Sequence, residues 1–286
     1  MNTIALVGNP NSGKTTLFNA LTGSNQHVGN WPGVTVEKKE GAVEFNEKTY
    51  NIVDLPGTYS LGAFSEDEIV ARDFILKGNP DVVINVVDAT NIERNLYLTT
   101  QLLEMDAKII VALNMIDEAE EKNIKFDIEA LSKKLGTPVI PTIASKRKGI
   151  EKLVKKSIEL TEKDMDFKAN ISYGENIDKE IERLKGFLDN KNLKYPPQWV
   201  AIKLLEGDQY IYELLNKNKA LNSSKEFKST IDNLKDNTED YELEIIDKRY
   251  EFVNDVTEIA VKRPEVIIET RTDKIDKIVT HKYLGL

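Results

Sequence analysis

The sequence predicts an α/β domain, with a mostly parallel sheet and helices on both faces, followed by a small all-α helical bundle. Two observations carry this. Through about residue 165, short runs rich in β-branched residues alternate with helical patterns, the order that a parallel sheet with crossover helices requires. Beyond that point the strand-like runs stop, and apolar residues recur at helical spacing instead.

Taken in order, Ile4–Val7, Tyr50–Val53, Val82–Val87, Ile109–Leu113 and Pro138–Ile143 read as strands, with Ala42–Phe45 as an edge strand. Lys14–Leu21, Asn95–Met105 and Ile128–Leu135 read as the intervening helices. In the second half, Ile177, Ile181, Leu184 and Leu188 follow one helical face. Pro196-Pro197 suits the first turn of a helix carrying Trp199, Ile202 and Leu205. Phe227, Ile231 and Leu234 mark another helix, and Ile245, Phe252, Val256 and Ile259 line a longer one that Pro264 stops. Lys163–Ser172 is the best linker candidate. The expected organisation is 1–165 for the α/β domain, 166–265 for the helical domain and 266–286 for a C-terminal tail.

Composition narrows the classes of function. A net charge of −9 argues against a general nucleic-acid binder, which needs a basic face. The absence of cysteine excludes disulfides and thiolate metal sites, and two histidines are too few for a multi-histidine site. The N-terminus runs straight into a strand with no basic region or cleavage site, and no apolar run approaches the roughly 20 residues that span a bilayer. The chain as given is expected to be soluble and cytosolic.

The chemistry lies in the loops after the strands. Gly8-Asn9-Pro10-Asn11-Ser12-Gly13-Lys14-Thr15 fits G-x-x-x-x-G-K-[ST] between a strand and a helix. Its glycines let the backbone N–H groups face phosphate oxygens, and the following helix, through Thr16, adds its positive dipole end. Lys14 is expected to reach the β- and γ-phosphates, and the Thr15 hydroxyl to bind Mg²⁺. Asp54-Leu55-Pro56-Gly57 follows a strand about 40 residues later. Asp54 is expected to hold Mg²⁺ through water, and the Gly57 N–H to bond a γ-phosphate. Asn114-Met115-Ile116-Asp117 is similar to N-K-x-D, in which the carboxylate accepts from guanine N1–H and the exocyclic amine. Asp117 therefore selects guanine, and Met115 replaces the lysine whose stem packs on the nucleotide. Ala144-Ser145-Lys146 stands where backbone N–H groups meet guanine O6. Together these motifs define a Ras-like P-loop G domain that binds GTP or GDP.

Between the first two motifs, Gln26–Glu37 has the composition of a mobile loop. Gly33 and Val34 lead to Thr35, placed to give a second hydroxyl to Mg²⁺ when a γ-phosphate is present. The alternatives are that Thr35 begins a strand and that Trp31 is a buried anchor. The glutamine that Ras-type enzymes carry after the D-x-x-G glycine is Thr58 here, so intrinsic hydrolysis is expected to be slow. Glu66-Asp67-Glu68 reads as a solvated helix start and Trp199 as bundle core. His27 either touches nucleotide or a partner or is an exposed loop histidine without a role, and His281 in the tail receives none.

At this level of detail the chain resembles the cytosolic N-terminal part of FeoB, the prokaryotic ferrous iron transporter family. The phosphate loop, Gln26–Glu37, Asp54–Leu61, Val87–Leu96, Asn114–Asp117 and Thr272–Lys277 carry the resemblance, and Val28–Glu37 is its most specific part. The resemblance implies a helical domain of GDI-like type that affects nucleotide release. It also implies K⁺ as an activating ion held by Asn11 and the carbonyls of Gly29 and Trp31, so that Lys14, Asn11, Thr35 and Gly57 carry catalysis. It further implies a membrane-embedded transporter region, absent here, as partner after a tail like Lys282–Leu286. A homo-oligomer is left open. The alternative class is a potassium-dependent GTPase of RNA modification or ribosome assembly, which needs a basic extension. A third is a GTP-binding scaffold without turnover.

Overall fold

The computed structural model describes residues 2–23, 26–162, 171–189, 193–218, 221, 225–235 and 238–264. The expected tail 266–286 with Thr272–Lys277 and His281, and most of the Lys163–Ser172 linker, lie outside the described residues.

Among the described residues, the α/β part contains β1 (Thr3–Gly8), α1 (Lys14–Thr22), β2 (Gln26–Asn30), β3 (Glu37–Phe45), β4 (Lys48–Asp54), α2 (Glu66–Lys77), β5 (Val82–Asp88) and α3 (Ile92–Glu104). It continues with β6 (Ile109–Asn114), α4 (Ile116–Glu121), β7 (Lys125–Phe126), α5 (Ile128–Leu135), β8 (Val139–Pro141) and α6 (Ile150–Glu162). The sheet order is β2-β3-β4-β1-β5-β6-β8. β1 pairs in parallel with β4 and β5, β5 with β6, and β6 with β8; β3 is antiparallel to both neighbours. β5 and β6 are buried along their whole length, because helices cover both faces and leave no polar side for alternation. In β1, Ile4 and Leu6 pack toward Leu17 and Phe18 of α1 and Leu153 of α6. Ala5 and Val7 pack on the opposite face, toward Leu98 and Leu102 of α3. The expected parallel sheet with helices on both faces is what forms.

The helical part contains α7 (Glu175–Leu188), α8 (Pro197–Leu205), α9 (Gln209–Asn216), α10 (Lys225–Lys235) and α11 (Thr238–Ala260), followed by β9 (Val261–Lys262). Pro197 occupies the first turn of α8, where a missing N–H costs nothing. Trp199 is fully buried, as expected for bundle core, in a cluster that runs without a break from Val83 and Leu102 to Ile177, Leu184 and Ile211.

Four expectations are corrected. Residues 26–30 form the edge strand β2, paired with β3, so the segment is half of a hairpin and not a loop throughout. The strand expected at Ala42–Phe45 begins at Glu37 and lies inside the sheet. A strand does occur in the second half, because β9 pairs with β7. On α11 Ile259 is half-exposed, since the buried face runs through Ile245, Arg249, Val253, Val256 and Ala260.

Candidate nucleotide site

The phosphate loop is fixed by close approaches that admit no side chain at either glycine. A Cβ on Gly8 would stand 2.6 Å from the Val86 carbonyl oxygen and 2.9 Å from Ser12 Oγ. Gly13 sits at φ +81°, and a Cβ there would stand 2.3 Å from Asn114 Nδ2. Asn11, at φ +67°, is exposed at the crown of the loop. Among the described residues, Ser12 Oγ and Asn9 Oδ1 are buried without a hydrogen-bond partner, so the loop holds polar groups that its described surroundings do not satisfy. The first turn of α1 carries no acidic side chain and leaves its dipole free for an anion, with Thr15 and Thr16 exposed there.

Lys14 Nζ donates to Asp54 Oδ1 at 2.6 Å, and both side chains are nearly buried. Burial pushes the Asp54 carboxyl above the usual carboxylate range, and the Lys14 charge opposes that rise. Parallel pairing of β1 with β4 brings the two residues together, since Asp54 lies opposite Leu6 at the C-terminal end of the sheet. Gly57 stands against Pro10, and the Thr58 N–H donates to the Gly8 carbonyl at 3.2 Å. The Thr58 hydroxyl donates to the Ser60 carbonyl at 2.6 Å from a buried position. The helix start expected at Glu66-Asp67-Glu68 is confirmed: Ser65 caps α2 by accepting from the Glu68 N–H. Glu68 also accepts from the Ser60 hydroxyl and the Phe64 N–H.

Asn114 binds the loops of the mouth together. Its Nδ2 donates to the Ser12 carbonyl at 3.0 Å, and its Oδ1 accepts from the Ala144 N–H at 3.0 Å and the Thr142 hydroxyl at 3.3 Å. Thr142 was not foreseen; nothing in its local spacing marks it. Met115, at φ +59°, puts its methyl 3.2 Å from where a Gly13 Cβ would stand, beside the phosphate loop. Asp117 accepts from Lys146 Nζ at 2.7 Å. Burial works against the Asp117 charge, but Lys146 and the backbone N–H groups of Asp117 and Glu118 hold the carboxyl below its ordinary value. Ser145 is exposed beside it.

The Gln26–Glu37 segment stands apart from this cluster. Thr35 is exposed in the turn between β2 and β3, and no described hydrogen bond joins it to the phosphate loop. Gly33 sits at φ +82° in open space. Gly29 lies opposite Lys38 in the ladder, and the Trp31 carbonyl accepts from the Val34 N–H. Trp31 is a half-buried anchor, edge-on to Phe74 of α2 with Lys38 over its ring.

Comparisons with known proteins show the family and the fold. The family described as ferrous iron transport protein B matches residues 2–157, and the FeoB cytosolic helical domain matches residues 173–262. The chain belongs to the FeoB family. It is 42% identical over 293 residues to the Fe(2+) transporters FeoB of Shigella flexneri and Escherichia coli strain K12. Those alignments take in 99% of this chain and 36% of each relative, so the chain spans little more than a third of their length. The cytosolic domain of T. maritima FeoB is similar in its GDP form I, at TM-score 0.81 and 41% identity over 92% of this chain and 98% of that one. Its GMPPNP form gives TM-score 0.80 and 41% identity over 92% and 100%. The cytosolic domain of L. pneumophila FeoB gives TM-score 0.80 and 38% identity over 92% and 100%. Among the described residues, no helix is long and apolar enough to cross a membrane.

Proposed function

We propose that this chain binds GTP and GDP, hydrolyses GTP, and serves at the cytoplasmic face of the membrane as the nucleotide-responsive part of a ferrous iron transporter. The observation that carries the reading is the Asn114 brace. One side chain joins the phosphate loop to the Ala144–Lys146 loop, with the Lys14–Asp54 pair at one end of the mouth and Asp117 at the other.

Each residue then has a task. The backbone from Gly8 to Thr16 cradles the phosphates, and an arriving triphosphate draws Lys14 away from Asp54. Asp54, through water, and the hydroxyls of Thr15 and Thr35 are hard oxygen donors of the kind Mg²⁺ takes; they would hold that ion, which would offset phosphate charge. Thr35, exposed in the hairpin turn, would have to move in to contribute its hydroxyl. Met115 packs on the nucleotide, and Asp117 reads the guanine edge with one carboxylate oxygen while Lys146 holds the other. With the Thr58 hydroxyl turned to Ser60, no side chain at that position orients the attacking water. Asn11 and the Gly29 and Trp31 carbonyls would hold K⁺, which would supply the missing charge; the Trp31 carbonyl, which accepts from the Val34 N–H, would have to be released for this. The helical region reports the nucleotide state to the membrane part, where Fe²⁺ crosses.

Multiple-turnover phosphate release with Mg²⁺, in KCl beside NaCl, tests this. Turnover should be faster in KCl, lose that advantage in Asn11→Ala, and disappear in Lys14→Ala. Equal rates in both salts, unchanged by Asn11→Ala, would remove the potassium step; phosphate release by Lys14→Ala at the wild-type rate would remove the site.

A further inference from the structure

The stretch Val87–Leu96 stands out in the sequence, yet no step above uses it. In the structure it forms a braced platform at the start of α3. Asp88 accepts from the Thr90 N–H and from Asn91 Nδ2, and Asn95 Oδ1 accepts from the Asp88 N–H. Arg263 grips both carboxylate oxygens of Glu93. Arg94 sits on this platform with two attachments. Its carbonyl accepts from Asn9 Nδ2 of the phosphate loop at 3.3 Å, and its guanidinium lies 4.2 Å from the centre of the Tyr59 ring.

We propose that Arg94 is a positioning residue that restrains the segment after Gly57, through Tyr59, in the arrangement in which the Thr58 N–H bonds the Gly8 carbonyl and the Leu61 N–H bonds Gln101. This rests on the nucleotide reading given above. Tyr59 is two residues beyond Gly57, whose N–H is the γ-phosphate donor of that reading. Around it the chain is turned into the protein. The Thr58 N–H bonds the Gly8 carbonyl, the Ser60 N–H bonds the Thr58 hydroxyl, and the Leu61 N–H bonds Gln101 Oε1 at 2.6 Å. Gln101 lies seven residues after Arg94, on the same face of α3, so one helix holds the segment at two points. A γ-phosphate that recruits Gly57 pulls Tyr59 from Arg94; a diphosphate does not. The contact therefore favours the diphosphate. A cation over a partly exposed aromatic ring, as Tyr59 is, shifts such a preference by about two- to fivefold.

Equilibrium titration of the chain with mant-GDP and mant-GMPPNP measures this in wild type, Arg94→Gln, Tyr59→Leu, Tyr59→Phe and the double variant Arg94→Gln/Tyr59→Leu. The ratio of the GMPPNP Kd to the GDP Kd should fall by about two- to fivefold in Arg94→Gln and in Tyr59→Leu. It should stay at the wild-type value in Tyr59→Phe, which keeps the ring, and the double variant should fall no further than either single one. Equal changes in both Kd values, or additive changes in the ratio, would overturn the role of Arg94 while leaving nucleotide binding intact. Wild-type chain that binds neither nucleotide would overturn the underlying reading as well.

Discussion

At Gly13 two independent constraints meet: a positive φ, and an Asn114 amide nitrogen where any Cβ would stand. Gly13→Ala must strain the backbone and push Asn114 away from Ser12 and Ala144, at a cost of about 1–3 kcal/mol. The expected outcome is a lower thermal midpoint together with at least a tenfold loss of mant-GDP affinity. Gly29→Ala is the control. Its Cβ meets nothing within 4 Å and its φ is not positive, so its midpoint should match wild type. At this scale much of the site was legible. Gly8, Gly13, Lys14, Asp54, Asn114 and Asp117 fall in motifs whose spacing reflects the end of a strand. Thr142 and Gln101 were not, because each acts on a partner distant in sequence and has no local signature; Arg94 lies in a stretch that stands out, but its contacts with Asn9 and Tyr59 do not show in the sequence. The use of Asn114 as a brace was equally invisible, since its three partners come from two segments, the phosphate loop and residues 142–144, both distant from it in sequence.

Among the elements, the β2–β3 hairpin behaves differently from the rest of the sheet. Every residue of β2 is exposed, and its sequence QHVGN shows no apolar alternation; what holds it is the ladder to β3. That is why residues 26–30 read as loop. Low burial also means low local stability, which suits a segment expected to close on nucleotide. In hydrogen exchange, amides of Gln26–Asn30 should exchange long before those of Val82–Asp88, and adding GMPPNP should protect the residues around Thr35 more than GDP does. Equal protection of β2 and β5 would contradict this. The α11 reading holds for Ile245 and Val256 and misses only at Ile259, for a different reason. Its buried face is centred on Arg249, a residue that pattern analysis counts as polar, and Ile259 lies about 80° round the helix from it.

Across the whole molecule, the sheet and the helical region are joined by a buried charge network as well as by apolar packing. Arg249 of α11 donates Nε and Nη2 to the two oxygens of Glu104 of α3, and Nη1 to Glu206 after α8. Lys203 completes the pairing of Glu206, and the Tyr173 hydroxyl donates to Glu104. Arg249→Met would leave Glu104 and Glu206 buried with too little positive charge, costing about 3–5 kcal/mol, which a denaturant midpoint reads directly. Burial opposes the Glu206 charge, yet Lys203 and Arg249 outweigh it and bring the carboxyl down to about 2 from an ordinary 4.5. A depressed carboxylate contributes stability above its unfolded value and loses it as pH falls through the folded one. Wild type should therefore weaken between pH 4.5 and 2, and Arg249→Met should lose part of that dependence. The fold class was legible because strand–helix alternation reports the layers; this junction was not, because it depends on charges buried far apart in sequence. The central claim, a guanine-nucleotide site closed by Asn114 and read by Asp117, is tested most directly by titrating wild type and Asp117→Asn with mant-GDP, mant-ADP and mant-XDP. Wild type should prefer GDP over both others. Asp117→Asn should lose GDP and gain XDP, because its amide donates to the xanthine carbonyl that replaces the guanine amine. Equal wild-type affinity for GDP and ADP, or a GDP affinity untouched by Asp117→Asn, would contradict it.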